Sequence, residues 1–189
     1  MTKATSQKIS LQEQISWLRL CRSQNVSQQT FFRLLAIFGN NIDEALNNVA
    51  NYSLKGGRDK PIVVLPPEKA ELEIEKCRKI GAEIIIFNDP RYPKLLKEIA
   101  DPPPLITALG NVDLLNKPII SIVGSRNSSY NGCKFAKMIA GDLGKKGFVV
   151  SSGLARGIDS ASHLGSIATG TIAVIAGGID NIYPKENEK

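Results

Sequence analysis

Two short stretches of this chain combine hydroxyls, glycines and an arginine just ahead of a helical pattern. The first is Gly124-Ser125-Arg126-Asn127-Ser128-Ser129. The second is Ser151-Ser152-Gly153-Leu154-Ala155-Arg156-Gly157-Ile158-Asp159. Glycine admits a close backbone approach, serine supplies hydroxyl donors, and arginine supplies a fork of charged donors. A helix start adds unpaired N–H groups and the positive end of a dipole. Together these suit an anion such as a phosphate. The candidate binding residues are Gly124, Ser125, Arg126 and Ser129 in the first loop, and Ser152, Gly153, Arg156 and Gly157 in the second. A third loop, Gly177-Gly178-Ile179-Asp180, leads to Tyr183-Pro184. One glycine motif alone is a weak signal, but two loops with the same residue types at corresponding positions reinforce each other.

Other chemistries find little support. No GxGxxG follows the apolar run at 118–123, and no GxxxxGK[ST] occurs, which argues against a dinucleotide fingerprint or an ATP-hydrolysing P-loop. Asp159 and His163 are four residues apart, hence on one helical face. They could form half of an acid–base relay. No activated nucleophile or metal cluster accompanies them, so a structural hydrogen-bonded pair is expected instead. His163 is the only histidine, which excludes a multi-histidine metal site. No catalytic residue, metal ligand or cofactor is assigned. Cys21, Cys77 and Cys133 lie far apart without CxxC spacing and read as reduced thiols of a cytoplasmic protein.

The net charge of +6 favours an acidic partner. It is spread evenly, with 15 basic and 12 acidic residues up to Gly110 and 9 and 6 after it. Any basic patch must therefore be assembled by folding. Met1–Ser10 has no apolar core and reads as no secretory signal. The longest apolar runs fall far short of the ~20 residues a membrane helix needs, so no membrane partner is expected.

The elements that position the loops follow from hydrophobic spacing. From residue 117 the pattern runs strand (118–123), helix (131–146, with Phe135, Ile139 and Leu143 on one stripe), strand (148–151), helix (158–169) and strand (171–176). Such alternation predicts right-handed crossovers and a parallel sheet, with the loops at the carboxyl ends of its strands, where ligands bind. The first strand, continuously apolar, reads as buried on both faces. Residues 11–50 read as a small helical unit, stopped once by Gly39-Asn40-Asn41, and 51–66 as a polar link. A helix follows Pro66-Pro67, then a strand at 83–87 and a rigid bend at Asp101-Pro102-Pro103-Pro104. The fold class is α/β: a partial Rossmann-like parallel sheet preceded by a small all-helical domain. Three regions are expected: 1–60 helical, 61–116 connecting, and 117–189 carrying the loops.

The stretches Ile122-Val-Gly-Ser-Arg126, Ser151 through His163, and Thr171 through Asp180 with Tyr183-Pro184 resemble the DNA-processing protein A (DprA/Smf) family. Tyr92-Pro93 through Asp101-Pro-Pro, with Gly110 after it, is similar to that family's approach to its Rossmann-like domain. Residues 11–50 resemble its N-terminal SAM-like domain. The resemblance implies a non-enzymatic protein that binds single-stranded DNA and passes it to the RecA recombinase during natural transformation. It implies that Gly124, Ser125, Arg126, Ser152, Gly153, Arg156 and Gly157 line the DNA pocket, while Asp159 and His163 are structural. The family's domain continues past its Tyr-Pro motif, so the chain reads as truncated before a second half that would carry a homodimer surface. Two competing readings remain. One is a nucleotide-phosphate hydrolase of the lysine-decarboxylase-like type, whose PGGxGTxxE signature is absent here. The other is an inactive remnant.

Overall fold

The structure, a computed structural model, describes residues 9–56 and 59–188. Most of the stretch Met1–Ser10, read above as lacking a secretory signal, lies outside the described residues. The chain divides after Gly110 into two compact units.

The first unit holds helices α1 (Leu11–Cys21), α2 (Gln28–Ile37), α3 (Ile42–Lys55) and α4 (Pro67–Lys79), strand β1 (Ala82–Ile86), a single turn α5 (Lys94–Lys97) and strand β2 (Leu105–Leu109). The first three helices start at capping side chains: Ser10 accepts from the Glu13 N–H, Ser27 from that of Thr30, and Asn41 from those of Asp43 and Glu44. Such caps satisfy N–H groups that have no partner within the helix. The core gathers Trp17, Leu18, Leu20, Phe31 and Val49, all buried. The polar link expected at 51–66 starts later than its composition suggests. Helix α3 continues to Lys55 because Ser53 is buried on the same face as Val49, and the Tyr52 ring meets Phe38 edge-on with centroids 5.8 Å apart.

The expected pattern has no strand at 105–109; β2 forms there, directly after the prolines of the bend. It pairs antiparallel with β1, Ala82 opposite Leu109 and Ile86 opposite Leu105. The helices share their core with these strands: the Gln14 side chain donates to the Ile84 carbonyl at 3.1 Å, and the rings of Phe32 and Phe87 lie 4.9 Å apart. The bend at 101–104 is tied back by the Tyr92 hydroxyl, which donates to the Pro103 carbonyl at 2.7 Å. Burial pushes the Tyr92 pKa up to about 12.

The second unit begins with a 3-10 turn at Val112–Asn116 and then alternates β3 (Ile119–Ser121), α6 (Tyr130–Lys145), β4 (Val149–Ser152), α7 (Ile158–Ser166) and β5 (Thr171–Ala173). The strands are parallel in the order β3-β4-β5. The outer strands are shorter than expected because β4, which both pair with, ends at Ser152 where the second loop turns away. Burial on both faces holds for β4, with Val149 and Val150 at 1% and 0% exposure, but not for β3. There Ile119 and Ile120 are only half-buried and Val123, just beyond, is 72% exposed. The reason is position: β3 is an edge of the described sheet and β4 its centre.

The stripe expected to pack α6 is also displaced. Phe135 is exposed, and Ala136, Ala140 and Gly144 are buried instead. Small residues win because α6 and α7 approach closely: a Cβ on Gly165 would sit 2.2 Å from the Lys137 carbonyl oxygen. A large side chain on that stripe would hold the helices apart.

Candidate functional site

Three loops leave the carboxyl ends of β3, β4 and β5, spanning 122–129, 153–157 and 174–184. The first two interlock through their backbones. The Ile158 N–H donates to the Ser125 carbonyl at 3.3 Å. Gly157 adopts φ 77°, ψ −122°, and a Cβ there would lie 2.3 Å from the Ser125 carbonyl oxygen and 2.8 Å from that of Arg126. Gly124 lies against the Ile158 side chain, where a Cβ would come within 2.7 Å. The close approach expected at Gly124 is thus to the Ile158 side chain at the start of α7, and Gly157 makes another, to the backbone of the first loop.

On this platform the functional side chains differ in what they offer. Arg126 is exposed, and its guanidinium takes no partner among the described residues. Ser125 is exposed; its hydroxyl oxygen accepts from the Asn127 N–H at 3.2 Å, and its proton remains free to donate. Ser129 caps α6 by accepting from the Gly132 N–H at 3.1 Å. Arg156 donates to the Glu186 carboxylate at 2.9 Å. Gly153 is exposed, but its N–H is committed to Asp159. Ser152 must be corrected: it is 3% exposed, and its hydroxyl donates to the Ile122 carbonyl at 2.6 Å, tying the end of β4 to the start of the first loop. A buried hydroxyl already bonded to backbone is not available to a ligand.

Asp159 and His163 are both buried, but they take different partners. The Asp159 carboxylate accepts from the N–H groups of Gly153 and Ala155 at 3.2 and 3.3 Å, which fixes the second loop from within. His163 Nδ1 lies 2.7 Å from the Thr171 hydroxyl oxygen. That hydroxyl uses its own proton on the Val150 carbonyl, so the imidazole must donate from Nδ1. His163 Nε2 is then a bare acceptor, buried and unpartnered among the described residues. Burial holds the imidazole below its ordinary pKa, opposed by the Asp159 charge. The pairing expected between the two is therefore replaced by separate bonds: Asp159 holds a loop, and His163 ties α7 to β5.

Two residues of the site went unread in the sequence. Asn187 donates to the Leu154 carbonyl at 2.9 Å and to the Ser160 hydroxyl at 2.7 Å. Leu154 has φ 61°, a left-handed conformation that such contacts help to hold. Glu186 pairs with Arg156. The signal available was a polar Glu-Asn directly after the Tyr-Pro motif, but local spacing does not say that it returns to a loop about 30 residues earlier.

Comparison with known proteins identifies relatives of this chain. Residues 83–189 match the family model described as DNA recombination-mediator protein A, and residues 11–75 match that of the DprA-like N-terminal HHH domain. The DNA processing protein DprA of Bacillus subtilis (strain 168) is 45% identical over 113 residues, covering 58% of this chain and 38% of that protein. The X-ray structure of DNA processing protein A from Streptococcus pneumoniae superimposes with a TM-score of 0.67 at 32% identity, covering 96% of this chain and 62% of that one. A structure of the Helicobacter pylori protein, described for its single-stranded DNA binding mode, matches with a TM-score of 0.53 at 27% identity, covering 58% and 49%. The chain thus spans 38–62% of the length of these relatives.

Proposed function

Because this chain belongs to the DNA recombination-mediator protein A family, we propose that it binds single-stranded DNA on the two interlocked loops and hands that strand to the RecA recombinase during natural transformation. The role is binding and delivery in the cytoplasm, without catalysis. A homodimer belongs to the same reading. The observation that carries it is the backbone contact of Gly157 with Ser125 and Arg126, which brings the two arginine-bearing loops together as one surface. A single strand suits that surface, because its flexible backbone can bring phosphates to closely set donors. Tyr130, at the start of α6, and Tyr183, in the third loop, are 81% and 74% exposed and offer ring faces on which bases can stack.

The test is a fluorescence-anisotropy titration of the chain with a labelled single strand and with the corresponding duplex. The single strand should bind more tightly, with an affinity that falls as salt rises through counterion release. Equal or tighter binding of the duplex would sink the proposal.

A further inference from the structure

The segment from the end of the third loop is held at two points, Pro184 by burial and Asn187 by bonds to the second loop and the start of α7. The Pro184 side chain is fully buried. Asn187 bonds both the Leu154 carbonyl and the Ser160 hydroxyl. Between these anchors the Glu186 carboxylate accepts from the Arg156 guanidinium at 2.9 Å. Its own backbone N–H, and then the charge and hydrogen bond of Arg156, hold the Glu186 carboxyl below the usual carboxylate range, so it is ionised at neutral pH.

A carboxylate and a phosphodiester both present two anionic oxygens, and a guanidinium takes either by the same fork of donors. We propose that Glu186 is a built-in competitor for the phosphate position on Arg156, which an incoming strand must displace. The inference rests on Arg156 being a phosphate contact. Both members of the pair are exposed, at 63% and 66% of their side chains, so their attraction is weak and salt-sensitive. What makes it effective is placement. With Pro184 and Asn187 anchored on either side, the carboxylate is held at the guanidinium by the backbone rather than by ordering a free chain. The first loop differs, because Arg126 carries no such occupant among the described residues. Of the two arginines, one is open and one is guarded.

The test compares the full chain with Glu186→Gln, Glu188→Gln, Arg156→Ala and the double variant Glu186→Gln/Arg156→Ala. Each is titrated into a fluorescein-labelled oligothymidylate, with circular dichroism to check that each folds. Glu188 is the control, since it is exposed, removes the same charge, and its side chain takes no partner among the described residues. At low salt Glu186→Gln should bind about two- to fivefold more tightly, the range an exposed ion pair allows. The gain should shrink as salt rises, be smaller in Glu188→Gln, and vanish when Arg156 is absent. No gain in Glu186→Gln, an equal gain in Glu188→Gln, or a gain that survives without Arg156 would each overturn the competitor while leaving the phosphate contact standing. If Arg156→Ala binds like the parent, the contact itself is wrong and the competitor falls with it.

Discussion

Substituting Gly157 by alanine tests whether the two loops form one surface. Two costs add at this position. Its φ of 77° with ψ of −122° is a conformation that residues with a Cβ rarely adopt, and holding one there costs about 1–3 kcal/mol. The added Cβ would meet the Ser125 and Arg126 carbonyl oxygens at 2.3 and 2.8 Å, well inside ordinary contact. Relieving that overlap must move the first loop, at roughly 1–3 kcal/mol more, as for overpacked sites generally. The expected loss is therefore about 2–6 kcal/mol, a large share of the ~5–15 kcal/mol that stabilises a typical domain. Gly147 separates the two costs. It also has a positive φ, 89°, but a Cβ there would meet nothing within 4 Å, so Gly147→Ala bears only the conformational part. Urea unfolding followed by circular dichroism should rank Gly157→Ala below Gly147→Ala by about 1–3 kcal/mol. Anisotropy titrations should find binding of single strands weakened in Gly157→Ala alone. If the two variants lose equal stability and both bind like the parent, the loops are not interlocked and the composite surface is wrong.

Arg126→Ala should weaken binding of single strands by about 1.5–3 kcal/mol, roughly tenfold or more, since it removes a charge-assisted phosphate contact. Because Arg126 is open and Arg156 is paired with Glu186, Arg126→Ala should be the more damaging of the two at low salt; the reverse order in the titration would contradict this assignment. His163 makes stability depend on pH with a defined sign. Its folded pKa lies below the ordinary 6.5, so the unfolded chain takes up the proton first. Stability is then full above about pH 6.5 and falls as the pH drops through that value, by at most about 1.4 kcal/mol per pH unit. The chain has a single histidine, so His163→Asn, which keeps a donor for Thr171, should flatten the chemical-denaturation profile between about pH 7.5 and 5.5. Parallel profiles for the two proteins would refute it.

The sequence by itself determined the main helices, strand β1 and the order in which strands and helices alternate after residue 117, but not β2. The 3.6-residue spacing of Phe31, Leu34 and Leu35, the apolar run at Ile119–Ile120 and the glycines ending the helices are local signals, and a backbone obeys local signals wherever it lies. The same locality singled out 124–129 and 151–159 as the proposed anion site, since hydroxyls, glycines and arginines at a helix start act within a few residues. It also marked Asp159 and His163 as structural, though with the wrong partners. Only the tertiary structure decided which side chains remain free for a ligand. Ser152 carries the right chemistry but lies at the end of the central strand, where the Ile122 carbonyl takes its proton. Phe135 carries the right hydrophobicity, yet the close approach of α6 to α7 selects Ala136, Ala140 and Gly144 for the contact. Arg126 and Arg156 look equivalent in sequence, and a glutamate 30 positions further on makes them unequal. Each of these outcomes depends on residues far apart in the chain but adjacent in space, and hydrophobic period and turn chemistry carry no information about that adjacency until the backbone has closed.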